Sequence, residues 1–134
     1  MKFKKSDKKA IFNDVYESFK KDGTQKYDVL RSGPIVQASL NISSDAMLTE
    51  MTSPENMLQR LGRLDRFGKN SDINVLSIAI TEAVKNGKCK GSSAYFLNRL
   101  NMLQTTKHWY DFLQNELGED IFHLTKLYQL YQQF

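Results

Sequence analysis

The sequence contains a single cysteine, Cys89, and no long apolar run. One cysteine excludes an internal disulfide and favours a reducing, intracellular compartment. No stretch of eighteen apolar residues is present, so no segment is predicted to cross a membrane. The basic stretch MKFKKSDKKA has no apolar segment behind it, which argues against a secretory signal. Together these absences predict a cytoplasmic protein.

Side chains that could bind a soft metal ion are equally scarce. Cys89, His108 and His123 are the only cysteine and histidines, and their spacing matches no zinc pattern. No serine or cysteine is paired with a suitable histidine for nucleophilic hydrolysis. We therefore predict neither a metal site nor a hydrolytic triad.

The overall composition is that of one small globular domain. Of the 134 residues, 40% are hydrophobic and 25% are charged, which is enough apolar material for one core. The net charge of +4 weakly favours an anionic partner. Much of the excess lies in the runs KFKKSDKK and KNGKCK, which are more typical of solvated helix faces and loops than of binding sites.

The hydrophobic pattern alternates between helices and strands. It predicts, in order, a helix over 8–21, a buried strand in YDVLRSG, a turn or short helix in PIVQASLNI, a strand over 46–50, a helix from 54, a loop over 68–72 and a strand over 73–80. Such alternation is typical of a parallel sheet covered by helices. TEAVKNGKCKGSS is predicted to be a loop, and amphipathic helices follow from Ser93. We predict one domain over 1–82 and a loop plus helical segment over 83–134.

The stretch ENMLQRLGRLDRFG concentrates cationic side chains on a predicted amphipathic helix. Ser53–Glu55 predicts the helix start, with a hydroxyl N-cap, proline at the first position and an acid in the first turn. Gln59, Arg63 and Arg66 fall on one stripe at i, i+4 and i+7, and Arg60 lies on its flank. Guanidinium forks suit phosphate oxygens, although a solvated basic face is the alternative explanation.

The pairing of two segments, SGPIVQASLNI and, sixteen residues later, QRLGRLDRFG, resembles motifs V and VI of superfamily 2 helicases. The form is similar to that of the CRISPR-associated helicase–nuclease of type I CRISPR interference, a system of antiviral defence. The resemblance covers roughly residues 3–80. It implies an α/β fold in which a partial second RecA-like helicase domain, a parallel sheet flanked by helices, is followed by a helical C-terminal extension.

The resemblance implies roles at ATP for five residues. Arg63 and Arg66 match the arginine fingers that would stabilise charge on the γ-phosphate in the transition state. Gln59 would sense the phosphate and Arg60 would brace the motif. Asn41 occupies the place of an aspartate in the family's S-L-D-I core, and it keeps one acceptor oxygen but loses the charge.

The resemblance also implies contacts with single-stranded DNA. Gly33, Pro34 and Ser39 would lie nearest the strand. Gly33 stands where the family usually has threonine, and Gln37 replaces its customary acid. Together with Asn41, these departures fall in the motif that, in the family, links the DNA contact to the nucleotide cleft.

The ATP-holding motifs of such helicases are missing from the sequence. There is no G-x-x-x-x-G-K-[ST] and no D-E-x-[DH]. The resemblance therefore implies that ATP and Mg²⁺ are held by a first RecA-like domain, in an upstream helicase half with an HD nuclease domain. Single-stranded DNA and the CRISPR surveillance complex are the other expected partners. Alone, the chain is expected not to be an ATPase.

Two other functions remain open at this point. The chain could be a catalytically inactive nucleic-acid- or partner-binding module that retains the RecA-like fold. It could instead be an interaction protein that docks through its aromatic C-terminal helices. Aromatic residues recur there at helical spacing, which favours core or partner packing over base stacking: Trp109, Tyr110, Phe112, Phe122, Tyr128, Tyr131 and Phe134.

Overall fold

A computed structural model of the chain describes residues 4–33, 41–117 and 121–134. Within these residues the strands are β1 (Ala46–Glu50) and β2 (Val75–Ala79). The helices are α1 (Lys5–Phe19), α2 (Pro54–Leu61), α3 (Glu82–Lys85), α4 (Ser92–Arg99), α5 (Leu103–Glu116) and α6 (Leu124–Gln133).

The two strands pair in parallel, and α2 lies between them in the sequence. Parallel strands need such a crossover because the chain must return to the same end of the sheet before the second strand begins. Just beyond β1, the Met51 amide donates to the Ala79 carbonyl at 2.8 Å. The α/β prediction is confirmed: a parallel sheet flanked by helices precedes a helical C-terminal stretch, an arrangement compatible with a partial RecA-like domain.

The described residues group into two compact units. The arginine unit is drawn from Met1–Met47 and Gln59–Leu76, and the aromatic unit from Leu48–Leu58 and Ser77–Phe134. Because β1, α2 and β2 each begin in one unit and end in the other, the units are defined by packing and not by sequence order. The predicted division into 1–82 and 83–134 stays a prediction.

The first helix ends close to where the pattern predicts. α1 stops at Phe19, and the Lys20 amide still donates to the Tyr16 carbonyl at 2.9 Å. In the KKDG segment it is Asp22, with φ +56°, that adopts the left-handed backbone. Gly23 is required for another reason, because a Cβ there would lie 2.0 Å from the Glu17 carbonyl oxygen.

The predicted buried strand in YDVLRSG is wrong. Residues 27–33 form no strand, and Val29 is 82% exposed. The preceding amides are used locally, because Ser18 Oγ accepts from the amides of Lys26 at 2.8 Å and Tyr27 at 3.2 Å. Amides bound by a side chain are not available to a strand ladder. The turn or short helix predicted in PIVQASLNI lies largely outside the described residues.

The aromatic unit is built around Trp109, which is fully buried. Its ring stacks on Phe112 at 5.9 Å and meets Tyr131 and Phe134 edge-on at 6.5 and 5.1 Å between centroids. The apolar stripe at the end of the chain therefore packs back onto its own unit. Trp109, Phe112, Tyr131 and Phe134 pack against one another, whereas Phe122 and Tyr128, which the same prediction covers, are exposed.

A second cluster in the same unit includes part of the segment predicted to be a loop after Thr81. That prediction is wrong for residues 82–85, which form α3. The Thr81 hydroxyl accepts from the Val84 amide at 3.4 Å and caps this short helix. Val84 is buried with Ala94, Leu97 and Leu103, and its burial explains why a polar stretch becomes helical.

Candidate functional site

Helix α2 ends at Leu61, before Arg63 and Arg66. The prediction that these arginines continue one helical stripe from Gln59 is therefore wrong. Gly62 follows the helix directly, and glycine lowers helix stability by about 1 kcal/mol relative to alanine. The helix start agrees with the prediction in part, since Pro54 occupies its first position.

The predicted hydroxyl cap at the start of α2 is absent. Ser53 is only 2% exposed, and its Oγ has no hydrogen-bond partner among the described residues. The first turn of the helix is closed by a backbone hydrogen bond instead, in which the Met57 amide donates to the Ser53 carbonyl at 2.9 Å. A serine before a proline is thus buried by packing and does not act as a cap.

From the last two residues of α2 onward the chain winds into successive turns over residues 60–66, which we call the arginine turn. The Arg63 amide donates to the Arg60 carbonyl at 2.9 Å, and the Leu64 amide donates to the Leu61 carbonyl at 3.0 Å. These are i to i+3 bonds, which wind the chain more tightly than an α-helix does.

The arginine turn is hydrogen-bonded to the segment that precedes β1. The Ser44 amide donates to the Arg63 carbonyl at 2.8 Å, and the Asp65 amide donates back to the Ser44 carbonyl at 2.8 Å. The Arg66 amide donates to Ser43 Oγ at 2.9 Å. Because these three hydrogen bonds join the turn to one short segment, the backbone that carries Arg63 and Arg66 is held in a single register.

The carboxylate of Asp65 binds the loop that follows the turn. It accepts from the amides of Lys69 at 2.7 Å and Asn70 at 3.2 Å, and from Asn74 Nδ2 at 3.3 Å. Its backbone is left-handed, with φ +44°, a conformation that aspartate tolerates better than most residues. Desolvation, the largest single effect, raises the pKa of this carboxyl, but the three hydrogen bonds outweigh it and hold the pKa below its ordinary value.

Two guanidinium groups approach each other at this turn. Arg63 is half-buried and Arg66 is exposed. Desolvation and the charge of Arg66 lower the pKa of Arg63, but an arginine stays protonated in proteins. Arg66 Nη1 donates to the Gly62 carbonyl at 3.3 Å, and Arg66 forms no ion pair with the described residues. The arginine turn therefore carries two like charges that lie close enough to affect each other.

The other residues predicted to act at ATP lie on the same unit. Gln59 is exposed and Arg60 is half-buried at the end of α2. Asn41 is exposed and lies two residues before Ser43, whose hydroxyl binds the Arg66 amide. The structure thus brings the Asn41 segment and the arginine turn together.

The residues predicted to contact DNA are less fully described. Gly33 is exposed, and a Cβ added there would meet no atom within 4 Å. No close backbone approach therefore explains a glycine at this position. Pro34 and Ser39 lie outside the described residues.

The described ranges contain no group of three or more histidine, cysteine, aspartate or glutamate side chains placed to hold a metal ion. Cys89 is exposed in the loop between α3 and α4. Among the helices that the structure describes, none is long and apolar enough to cross a bilayer.

Sequence reasoning missed the two residues that position the turn. The Ser43 hydroxyl binds the Arg66 amide and the Asp65 carboxylate binds the Lys69 amide just after the turn, whereas only the arginines themselves stand out in the pattern. The available signal was the cluster of turn-forming residues in LDRFGKNSD, since aspartate, asparagine and serine side chains bind nearby amides.

A family model described as "CRISPR-associated nuclease/helicase Cas3, C-terminal" matches residues 1–69. The matched region contains Asn41, Ser43, Ser44 and the whole arginine turn. No curated protein and no solved structure shows significant similarity to the chain.

Proposed function

The chain belongs to the Cas3-like C-terminal family, and from this premise we propose that it acts in an ATP-dependent DNA helicase of type I CRISPR interference. Its part is to present the arginine turn to ATP that another domain holds. Motifs V and VI would be SGPIVQASLNI and QRLGRLDRFG. The region 1–82 would be a partial second RecA-like domain and 83–134 an accessory helical segment.

The observation that carries the proposal is the fixed register of the arginine turn. Its backbone is bonded to Ser43 and Ser44, and it brings two guanidinium groups close enough for one to lower the pKa of the other. Repulsion of this kind is relieved when a phosphate binds between the charges. Preorganised cations of this type stabilise charge that develops during phosphoryl transfer.

The residues present fit a nucleotide phosphate but not its metal ion. In the proposal Arg63 and Arg66 act as arginine fingers, Gln59 senses the γ-phosphate, and Arg60 and Asn41 support the site. ATP supplies the transferable phosphoryl group when bound. Mg²⁺ would be held by a first RecA-like domain, supplied in the same polypeptide or by a partner, because the described residues offer no cluster of metal ligands.

Family membership supports a proposal for the remaining partners. We propose that Gly33, Pro34 and Ser39 contact single-stranded DNA and that an upstream helicase half and HD nuclease domain complete the enzyme. The CRISPR surveillance complex would deliver the DNA.

The alternative is a nucleic-acid- or partner-binding module that keeps the fold without hydrolysing ATP. It is favoured by one observation, that Asn41 replaces the aspartate and Gly33 the threonine of the family pattern. Asn41 is exposed and cannot offer a second anionic acceptor, so coupling of DNA to nucleotide would be lost. In that case binding to single strands would be steeply salt-dependent but independent of ATP.

The test is an ATPase assay with single-stranded DNA, in which the chain is mixed with a protein that supplies the first RecA-like domain. We expect hydrolysis only when both are present, and a fall of roughly 10³-fold or more in Arg63→Ala and Arg66→Ala. Arg99→Ala serves as the matched control, because Arg99 is an exposed arginine in α4 outside the matched region.

Each outcome distinguishes the two functions. Activity that falls in the two turn variants but not in Arg99→Ala supports the arginine-finger role. Absent activity with folded protein on both sides, together with salt-steep binding of single strands, would favour the binding module. Equal loss in all three variants would mean that charge alone, and not the turn, matters.

A further inference from the structure

Helix α2 is poorly stabilised by its own sequence. It has eight residues, and isolated helices shorter than about 12 residues are marginal in water. The Ser53 hydroxyl makes no capping bond at its start, and Gly62 follows its last residue. The arginine turn is nevertheless bonded to the final residues of this helix, through the carbonyls of Arg60 and Leu61.

Three consecutive side chains of α2 are contacted by the C-terminal half of the chain. Glu55 Oε1 accepts from the Tyr131 hydroxyl at 3.1 Å. Asn56 Nδ2 lies 3.4 Å from Met102 Sδ. Met57 Sδ accepts from Trp109 Nε1 at 3.2 Å. Successive residues of a helix are about 100° apart, so these contacts hold α2 from more than one side.

The geometry points to a positioning role for Tyr131, Met102 and Trp109, which we call the clamp: they hold α2 so that the arginine turn keeps its register. This inference rests on the proposed function, because positioning matters to catalysis only if the turn acts on ATP. The clamp residues touch neither nucleotide nor DNA in this scheme. They act through α2.

The ring of Tyr131 and its hydroxyl have separable roles. The ring meets Trp109 edge-on, whereas the hydroxyl reaches Glu55. The hydrogen bond to Glu55, together with desolvation and the carboxylate charge, raises the pKa of Tyr131, so the phenol remains a donor at neutral pH. Tyr131→Phe therefore removes the contact with α2 and keeps the aromatic packing.

The first experiment is hydrogen exchange of the full chain, read at the amides of Arg63, Leu64 and Arg66. Loss of a hydrogen bond that holds α2 is expected to speed exchange at these amides about fivefold in Tyr131→Phe and Trp109→Phe. Glu55→Gln retains an acceptor oxygen and is expected to exchange at the wild-type rate.

The matched control is Thr81→Ala, which removes the cap of α3 in the aromatic unit and changes no clamp residue. Equal acceleration in Thr81→Ala would show that general loss of stability, and not the clamp, governs the turn, and would overturn the inference. Unchanged exchange in Tyr131→Phe and Trp109→Phe would overturn it as well.

The second experiment is the ATPase assay with the first RecA-like domain supplied. A positioning role for transition-state contacts predicts a lower kcat with an unchanged KM for ATP in Tyr131→Phe. Glu55→Ala removes the same hydrogen bond and should lower kcat likewise, whereas Glu55→Gln retains an acceptor oxygen and should keep the wild-type kcat. A wild-type chain without ATPase activity, but with the expected exchange pattern, would sink the proposed function and leave the clamp in place. Wild-type kcat in Tyr131→Phe would remove the clamp from catalysis.

Discussion

The arginine unit and the aromatic unit are each stabilised internally by a different kind of interaction. Among the described residues of the arginine unit, Ile42 and Leu61 are the buried apolar side chains, and α1 buries none. Its order comes from hydrogen bonds made by Ser43, Ser44 and Asp65. The aromatic unit has an apolar core around Trp109 and a second cluster beside it.

The difference has a consequence for where the chemistry lies. Apolar packing tolerates small displacements of each contact, whereas a hydrogen bond weakens steeply with angle and distance. In the proposed function, a turn that presents two guanidinium groups to a phosphate gains more from bonds of defined geometry. The aromatic unit supplies bulk stability, and the arginine unit supplies a precise backbone for charged side chains.

The largest effect is expected where the apolar core is removed. Trp109→Ala deletes a fully buried indole, and the expected loss is about 3–5 kcal/mol in the free energy of unfolding. Urea unfolding followed by circular dichroism at far-ultraviolet wavelengths measures this, since the variant loses the only tryptophan.

Phe12→Ala is the matched control for the arginine unit. Phe12 is 50% exposed on α1, so its removal is expected to change stability by no more than about 0.5 kcal/mol. Comparable losses in the two variants would contradict the claim that apolar burial is concentrated in the aromatic unit.

An intermediate effect is expected when the polar network is protonated. The pKa of Asp65 is lowered in the folded chain. Its carboxylate therefore stabilises the folded loop at pH values above the ordinary aspartate pKa of about 3.9. That contribution is lost as the pH falls through the folded pKa. The amide proton shifts of Lys69 and Asn70, followed by NMR, should stay constant from neutral pH to about 5 and change together below about 4.

Two variants sharpen this titration. Asp65→Asn keeps the tolerance for a left-handed backbone but removes the charge, so the acid transition at Lys69 and Asn70 should disappear. Asp72→Asn changes an exposed aspartate in the same loop and should leave the transition intact. A transition that survives in Asp65→Asn would assign the titration to another group.

Local patterns predicted the elements whose order comes from periodicity. Helix α1, strand β1 and the amphipathic C-terminal helices all appear where apolar spacing places them. Strand β2 appears as well, although it is shorter than INVLSIAI. In each case the pattern and the local hydrogen bonding agree.

Where one side chain captures the backbone, the pattern was misleading. The apolar letters around Val29 suggested a strand, but Ser18 occupies the amides just before it. The hydrophobic periodicity likewise predicted that α2 extends through Arg66. Periodicity contains no information on the weakening of the helix by Gly62, or on Ser43 and Ser44, which bind the amides of Arg66 and Asp65. The arginines were recognised from sequence, and the bonds that place them were not.

The smallest expected effects compare two residues that precede helices. The Thr81 hydroxyl accepts from the Val84 amide, whereas Ser53 Oγ has no hydrogen-bond partner among the described residues. Thr81→Ala should therefore lower the free energy of unfolding by about 0.5–1 kcal/mol. Ser53→Ala should leave it within about 0.5 kcal/mol of the wild type, since it removes a desolvated hydroxyl that forms no bond. Urea unfolding followed by Trp109 fluorescence resolves both variants.

Comparing Thr81 with Ser53 shows that a hydroxyl residue before a helix can be a cap or a buried residue without a capping bond. Serine or threonine before a helix predicts a cap, yet a cap contributes only when the hydroxyl reaches an amide of the first turn. If Ser53→Ala were as costly as Thr81→Ala, the hydroxyl would cap α2 in solution and the helix would depend less on the clamp. A neutral Ser53→Ala would leave the contacts to Tyr131, Met102 and Trp109 as the stabilisation that this short helix requires.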